Sequence, residues 1–288
     1  MLAGRMAIFV AVLSTISIGI GEFFASDATE RARSQEVSSM MLLSGVVLTG
    51  IVALAWPGEP STSDLMVGGL AGVANGVGIL LLYAAYSRGS LRSAAPSAAV
   101  VMTAIPVLWA VWVNGESPSA VAWLGITLGL VAIGLSSYQP PSNDGGPGVE
   151  LPGGLSIAIL AGVVFGVLII LLGEIEDGAG GSPLVVQRVA GLIVAVTVTR
   201  ATGPRVFPAD RSARLLSLVV GLFATGAVVL FVLALELGAS LSVTSVLSSQ
   251  YAGVAVLLAF VFRGQKLLPT QAAGLLAASV AVALITLG

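Results

Sequence analysis

The sequence predicts an all-α integral membrane protein: ten transmembrane helices arranged as two inverted five-helix repeats. Three observations predict this. Apolar residues make up 57 % of the chain and charged residues only 9 %. A soluble domain carries about 25 % charge, so a mean hydropathy of +1.05 makes the bilayer the solvent. Continuous apolar runs of roughly 20 residues, the length that crosses a bilayer, recur ten times. Finally, the second half falls on the first without a gap when it is shifted by 149 residues.

The first run, 6–24, follows Arg5. It is too long for a signal-peptide core and no small-residue cleavage site follows, so it reads as a membrane helix. Runs at 37–56, 65–87, 91–113 and 118–138 complete a first repeat, 1–138. WPGEPSTSD (56–64) supplies the Pro and Gly that end a helix. The longest polar stretch, SSYQPPSNDGGPGVELPGG, gives a linker over 139–153. Runs at 154–173, 183–201, 213–236, 240–262 and 268–287 form a second repeat, 154–288, with ATGPRVFPAD (201–210) as its matching break. Alternation at period two is absent, which argues against barrel strands.

Under the 149-residue shift, Gly72 meets Gly221, Gly89 meets Gly238, Ser93 meets Ser242 and Gly125 meets Gly274. The link VNGESPSA (113–120) meets FRGQKLLP (262–269), so Gly115 and Glu116 pair with Gly264 and Gln265. Five spans per repeat is an odd number, so the second repeat enters the membrane from the opposite face, as in many secondary transporters. Charge agrees. Ten of the 12 Lys and Arg fall on one side: Arg31, Arg33, Arg88, Arg92, Arg200, Arg205, Arg211, Arg214, Arg263 and Lys266. The positive-inside rule makes that side cytoplasmic and puts both termini outside.

The chain has no Cys and no His. That excludes disulfides, thiolate or imidazole metal sites and Ser-His triads. No cofactor and no metal site is expected, and no basic block suggests nucleic acid.

A site in such a protein lies near the midplane between repeats, where polarity is costly. The candidates for substrate binding are Ser14, Ser17, Asn75, Ser97, Thr103, Arg188, Thr225, Ser245, Ser249, Gln250 and Tyr251. Each Ser or Thr can equally bond a carbonyl one turn back. Asn75 and the pair Gln250-Tyr251 are the sharper signals. Spans five and ten offer little polarity and read as peripheral. Glu22, Glu174 and Glu236 read as span-end acids within reach of water, and Arg188 as a cation about one and a half turns into span seven, paired to Glu174 or to an anion. No midplane carboxylate is expected, which leaves no proton carrier. Glu116 is expected in the first turn of span five, where a carboxylate caps free N–H groups, with Gly115, Gly264 and Gln265 as the other turn residues.

LLYAAYSRGSLRSAAPSAAVVMTAIPVLWAVWVNGESPSAVAWLGITLGLVAIGL (81–135) resembles the repeat of the drug/metabolite transporter superfamily, EamA type. The resemblance lies in Tyr83 to Ala85, Ala94 to Ala99, Pro106, Gly115-Glu116 and Gly125. Residues 231–265 match more weakly, with Ala255 for the Pro and Gln265 for the Glu. SPLVVQRVAGL (182–192) resembles the family's seventh helix, with Arg188 at its Arg position. The resemblance implies a transporter with peripheral helices five and ten, and with both termini cytoplasmic, against the charge reading. The expected function is a secondary transporter that exports a small neutral or zwitterionic, amino-acid-like metabolite by alternating access. Lipophilic drug efflux and a non-transporting membrane scaffold are the alternatives, and an enzyme is not expected. The partners are a small solute and the lipid bilayer of a bacterial plasma membrane, with a homodimer left open.

Overall fold

The computed structural model describes residues 2–88, 91–137, 154–203, 205–263 and 268–287. The linker 139–153, Gly89, Gly264, Gln265 and Lys266 lie outside the described residues, as do the side chains of Ser97, Arg88, Arg92 and Arg263. The described chain is all helical: α1 (Leu2–Arg31), α2 (Ser34–Ala55), α3 (Thr62–Arg88), α4 (Leu91–Trp112), α5 (Ala120–Ser137), α6 (Gly154–Gly173), α7 (Ser182–Thr202), α8 (Arg211–Glu236), α9 (Leu241–Ser249), α10 (Tyr251–Arg263) and α11 (Pro269–Leu287). Seven segments are long and apolar enough to cross a membrane, α9 and α10 counting together as Leu241–Phe262. Ala98–Trp112, Ala120–Leu135 and Ala272–Ala281 are shorter apolar helices.

The helices present apolar side chains outward. Leu54 is 86 % exposed and Trp112 77 % exposed, a surface that only lipid tails cover favourably. With the bilayer as solvent, burial of oil against oil does not drive packing. Close van der Waals contact and hydrogen bonds do.

Those contacts join one half of the chain to the other. α1 packs on α8, α3 on α6 and α7, α4 on α6, α2 on α7 and α8, α1 on α9 and α10, and α5 on α11. Small residues set the approach. A methyl group at Gly72 would overlap the Gln187 carbonyl and meet Ala190 Cβ at 2.8 Å. One at Gly76 would meet Val194 Cβ at 2.8 Å. On the α2–α8 side, Gly221 sits on the Met41 carbonyl, and a methyl at Gly45 would meet Thr225 Oγ1 at 2.9 Å.

The loops sort by charge. At one end, the Arg31 guanidinium donates to Ser212 Oγ at 3.1 Å and Arg33 donates to the Thr202 carbonyl at 3.1 Å. Asp210 caps α8 by accepting from the Ala213 N–H at 2.8 Å. The Ser212 hydroxyl and that N–H hold its carboxyl below the usual carboxylate range. At the other end, Gly58 abuts Gly178 to Gly180. There Asp64 accepts from the Glu176 N–H at 2.9 Å and from Ser61, and Glu236 accepts from the Gly178 N–H.

Expected span nine, 240–262, is broken at Gln250. The Gln250 N–H turns to the Leu247 and Ser248 carbonyls at φ −71°, ψ 0°, ending α9 one residue before α10 begins. Ser249 bonds the Val246 carbonyl and the Gln250 amide donates to Gly129 of α5 at 3.2 Å. Such side-chain competition with the backbone bends a helix.

The glycine contacts carry a prediction. Gly72→Ala destabilises the protein by about 1–3 kcal/mol, the usual scale for overpacking. Gly50→Ala, where an added Cβ meets nothing within 4 Å, leaves the midpoint unchanged or slightly raised. Thermal unfolding in detergent reads the difference.

Candidate functional site

One cavity of about 180 Å³ lies where the halves meet. Its lining comes from α1 (Ser14, Ile18, Gly21, Glu22), α2 (Met41), α3 (Asn75, Ile79, Leu82) and α4 (Ala98, Ala99, Met102). The other half supplies α6 (Phe165, Leu168, Ile169, Leu172), Arg188 of α7, α8 (Val220, Ala224, Ala227, Val228, Phe231), Ser248 of α9 and Tyr251 of α10. Among the described residues, α5 and α11 contribute nothing to it, and they pack on each other. The wall is mostly apolar, with Ser14, Glu22, Asn75, Arg188, Ser248 and Tyr251 as its polar points.

Arg188 is 3 % exposed. It stays inside because Gly45 of α2 leaves room for it: a methyl there would sit 3.3 Å from Nε. One terminal nitrogen donates to the Ala224 carbonyl at 2.8 Å, and Nε has no acceptor. Glu174 does not pair with it. That carboxylate accepts from Trp109 Nε1 at 3.1 Å instead. The expected pairing with Glu174 is absent, and Arg188 belongs to the cavity lining. Asn75 is 6 % exposed, and its Nδ2 also has no acceptor.

Glu22 corrects the sequence reading more sharply. The first span was expected to end at 24, putting this acid at the headgroups. α1 instead runs on to Arg31, seven residues and about 10 Å further. Glu22 is thereby carried into the cavity wall, and an acid does line the space that was expected to have none. The signal was available in the polar residues 26–31, which continue a helical run without any Gly or Pro break.

The remaining candidates divide. Ser14 reaches the cavity and donates to the Ala227 carbonyl at 2.8 Å. Tyr251 also lines it. Ser17 donates to Phe223 at 2.7 Å, joining α1 to α8. Thr103, Ser245 and Ser249 bond carbonyls of their own helices at 2.8, 2.6 and 2.8 Å. Thr225 is buried with no partner for its hydroxyl, and Gln250 ties α9 to α5. None of these six is among the lining residues. Ser248 lines the cavity with its hydroxyl unpaired.

Glu116 serves a different helix from the one expected. Ser119 caps α5, accepting from the Ala122 N–H at 3.0 Å. Glu116 reaches across the molecule and accepts from the Leu241 N–H at 2.8 Å, the Ser242 N–H at 3.3 Å and the Ser242 hydroxyl. It caps α9, where a carboxylate meets free N–H groups and the positive end of the helix dipole. Gly115, at φ +70°, makes the turn that aims it. Nothing in a local pattern reveals a cap made 125 residues away.

Residues 5–138 match the model of the EamA-like transporter family. A search of the curated proteins found no match. A solved crystal structure of a protein superposes with a TM-score of 0.75 at 16 % identity, covering 99 % of this chain and 96 % of that one. The likeness fixes the fold alone.

Removing the cap tests its role. Glu116→Ala lowers stability by about 1–2 kcal/mol in thermal unfolding, and the folded fraction keeps its activity. Loss of activity at unchanged stability would contradict the capping role.

Proposed function

Because residues 5–138 carry the EamA-like transporter signature, we propose that the chain is a secondary transporter that moves a small neutral or zwitterionic metabolite through the central cavity by alternating access. The observation that carries this reading is the cavity itself. It sits between the halves, it is lined by eight of the ten expected spans, and it mixes a broad apolar wall with a few unpaired polar groups. A space near 150 Å³ admits a molecule as large as benzene, so about 180 Å³ suits a small metabolite.

The proposed architecture is ten crossings in two inverted repeats, 1–138 and 154–288. The family match ends at 138, where the first repeat is expected to end. The helix contacts are unchanged when each helix is exchanged for its repeat mate: α1–α8 becomes α6–α3, and α3–α7 becomes α8–α2. Register follows too. Gly72 against Ala190 maps onto Gly221 against Met41, and Gly76 against Val194 maps onto Thr225 against Gly45, each by 149 residues. Mate loops lie at opposite ends. The link after α2 meets the link after α6, whereas its mate after α7 meets the link after α1. Such a pair of halves rocks about a shared site.

The Arg-bearing end is assigned to the cytoplasm of a bacterial plasma membrane and both termini to the outside, with export as the direction. Lipophilic drug efflux is the second reading, favoured by the apolar wall.

Purified protein in liposomes tests the assignment. Against a panel of amino acids, nucleosides and lipophilic drugs, time-dependent uptake or counterflow above protein-free liposomes is expected for neutral or zwitterionic members. Movement of lipophilic cations alone would favour drug efflux. Movement of none would remove the transport reading.

A further inference from the structure

The end of the molecule that gathers the arginines carries a second recess, apart from the central cavity. It is lined by Arg200 of α7 and by Gly203, Val206 and Phe207 of the link to α8. Arg33, just before α2, stands at its side. The Arg33 guanidinium lies so close to Gly203 that a methyl there would overlap Nη1. Nη2 donates to the Thr202 carbonyl at 3.1 Å, while Nη1 and Nε have no partner among the described residues. Arg200 is exposed and makes no hydrogen bond or ion pair among those residues. Nearby acids leave both cations unneutralised. Asp210 is taken by the Ser212 hydroxyl and the Ala213 N–H, and Glu36 is buried in the first turn of α2. Arg205 in the link and Arg211 at the start of α8 add two more exposed cations.

The recess also tops a lipid-facing stripe. Val189, Ile193, Thr197 and Arg200 recur at helical spacing on one side of α7, and all four are exposed, Ile193 by 61 %. From Val189 to Arg200 the helix rises about 16 Å, one leaflet of a hydrocarbon core about 30 Å thick. A stripe of that length matches one acyl chain, and it sets Arg200 at the depth of the headgroups. Guanidinium N–H groups there are suited to a phosphate. A soluble anion would use the arginines and leave the stripe to other lipids. A zwitterionic lipid would bring its own cation up against Arg205 and Arg211. A phospholipid of net negative charge satisfies the arginines and the stripe together.

We infer that this recess is an anionic-phospholipid site, in which Arg200 and Arg33 hold the headgroup phosphate, Val206 and Phe207 face the glycerol backbone, and one acyl chain lies along Val189 and Ile193. The inference is independent of the transport reading and needs only that the chain lies in a bilayer.

The test uses full-length protein in detergent. Native mass spectrometry measures binding of dioleoylphosphatidylglycerol and dioleoylphosphatidylcholine, with glycerol 3-phosphate as a soluble competitor. The anionic lipid should bind at least about fivefold more tightly than the zwitterionic one, the scale of one arginine at an anionic membrane surface. Glycerol 3-phosphate in large excess should not displace it. Arg200→Gln should weaken the anionic lipid by a similar factor, leave the zwitterionic lipid unchanged and leave the lipid-free unfolding midpoint unchanged, because Arg200 has no protein partner. Arg200→Lys should recover most of the loss. Arg5→Gln, which removes a cation at the opposite end of α1, should change nothing. Equal binding of the two lipids overturns the inference. So does anionic-lipid binding that ignores Arg200→Gln, or that falls as far with Arg5→Gln. Displacement by glycerol 3-phosphate would mark a site for soluble phosphate and overturn the lipid assignment.

Discussion

Backbone contact between the two halves sets the rest of the structure. Gly72 and Gly76 let α3 lie on α7, and Gly221 and Gly45 let α2 lie on α8. In a bilayer no water is expelled by this contact, so surface matching must supply what the hydrophobic effect supplies elsewhere. The same close approach makes the site. Gly45 leaves the space that Arg188 fills, and Gly191 leaves Asn75 its place against α7. Small residues at these interfaces thus make room for a cation and an amide in the wall of a cavity that no single helix could build.

The second constraint is polar satisfaction. Most hydroxyls in these helices are spent on carbonyls. Thr15 bonds Leu247 at 2.7 Å, Ser14 bonds Ala227, and Thr199 bonds Ala195 and approaches Ser39. Against that background the unspent groups stand out. Arg188, Asn75 and Ser248, each with a buried unpaired atom, line one cavity together with Glu22. Helix ends follow the same rule: Ser61 with Asp64 closes the start of α3, Asp210 that of α8, and Glu116 that of α9. The bridge from Glu116 to α9 also ties the end of α4 to the helix that bends at Gln250, so the link between halves extends beyond the glycine contacts.

Much of this was legible in the sequence. Apolar runs located the helices within a few residues, and sparse polarity in spans five and ten marked the pair that stays out of the cavity. The misses have physical causes. Glu22 was misplaced because hydropathy reports where lipid ends, and a helix can continue past that point: α1 does so through Asp27, Glu30 and Arg31. Arg188 was expected to pair with Glu174 or an anion, because a sequence does not show that Gly45, on another helix, leaves it an inward space. Hydroxyls such as Thr103 and Ser245 share the composition of a site and differ only in having a carbonyl of their own one turn back. The cap from Glu116 to Leu241 joins residues that only the fold brings together.

Alternating access is the central claim, and the absence of any native cysteine makes its most direct test clean. Met102 lines the cavity on α4, so Met102→Cys gives one thiol at the site. Labelling it with a membrane-impermeant maleimide in right-side-out and in inverted vesicles asks which side the cavity opens to. Reaction from both sides, slowed in each case by a bound solute, is the predicted result. Reaction from one side only, unchanged by any solute, would describe a fixed pocket and contradict the account.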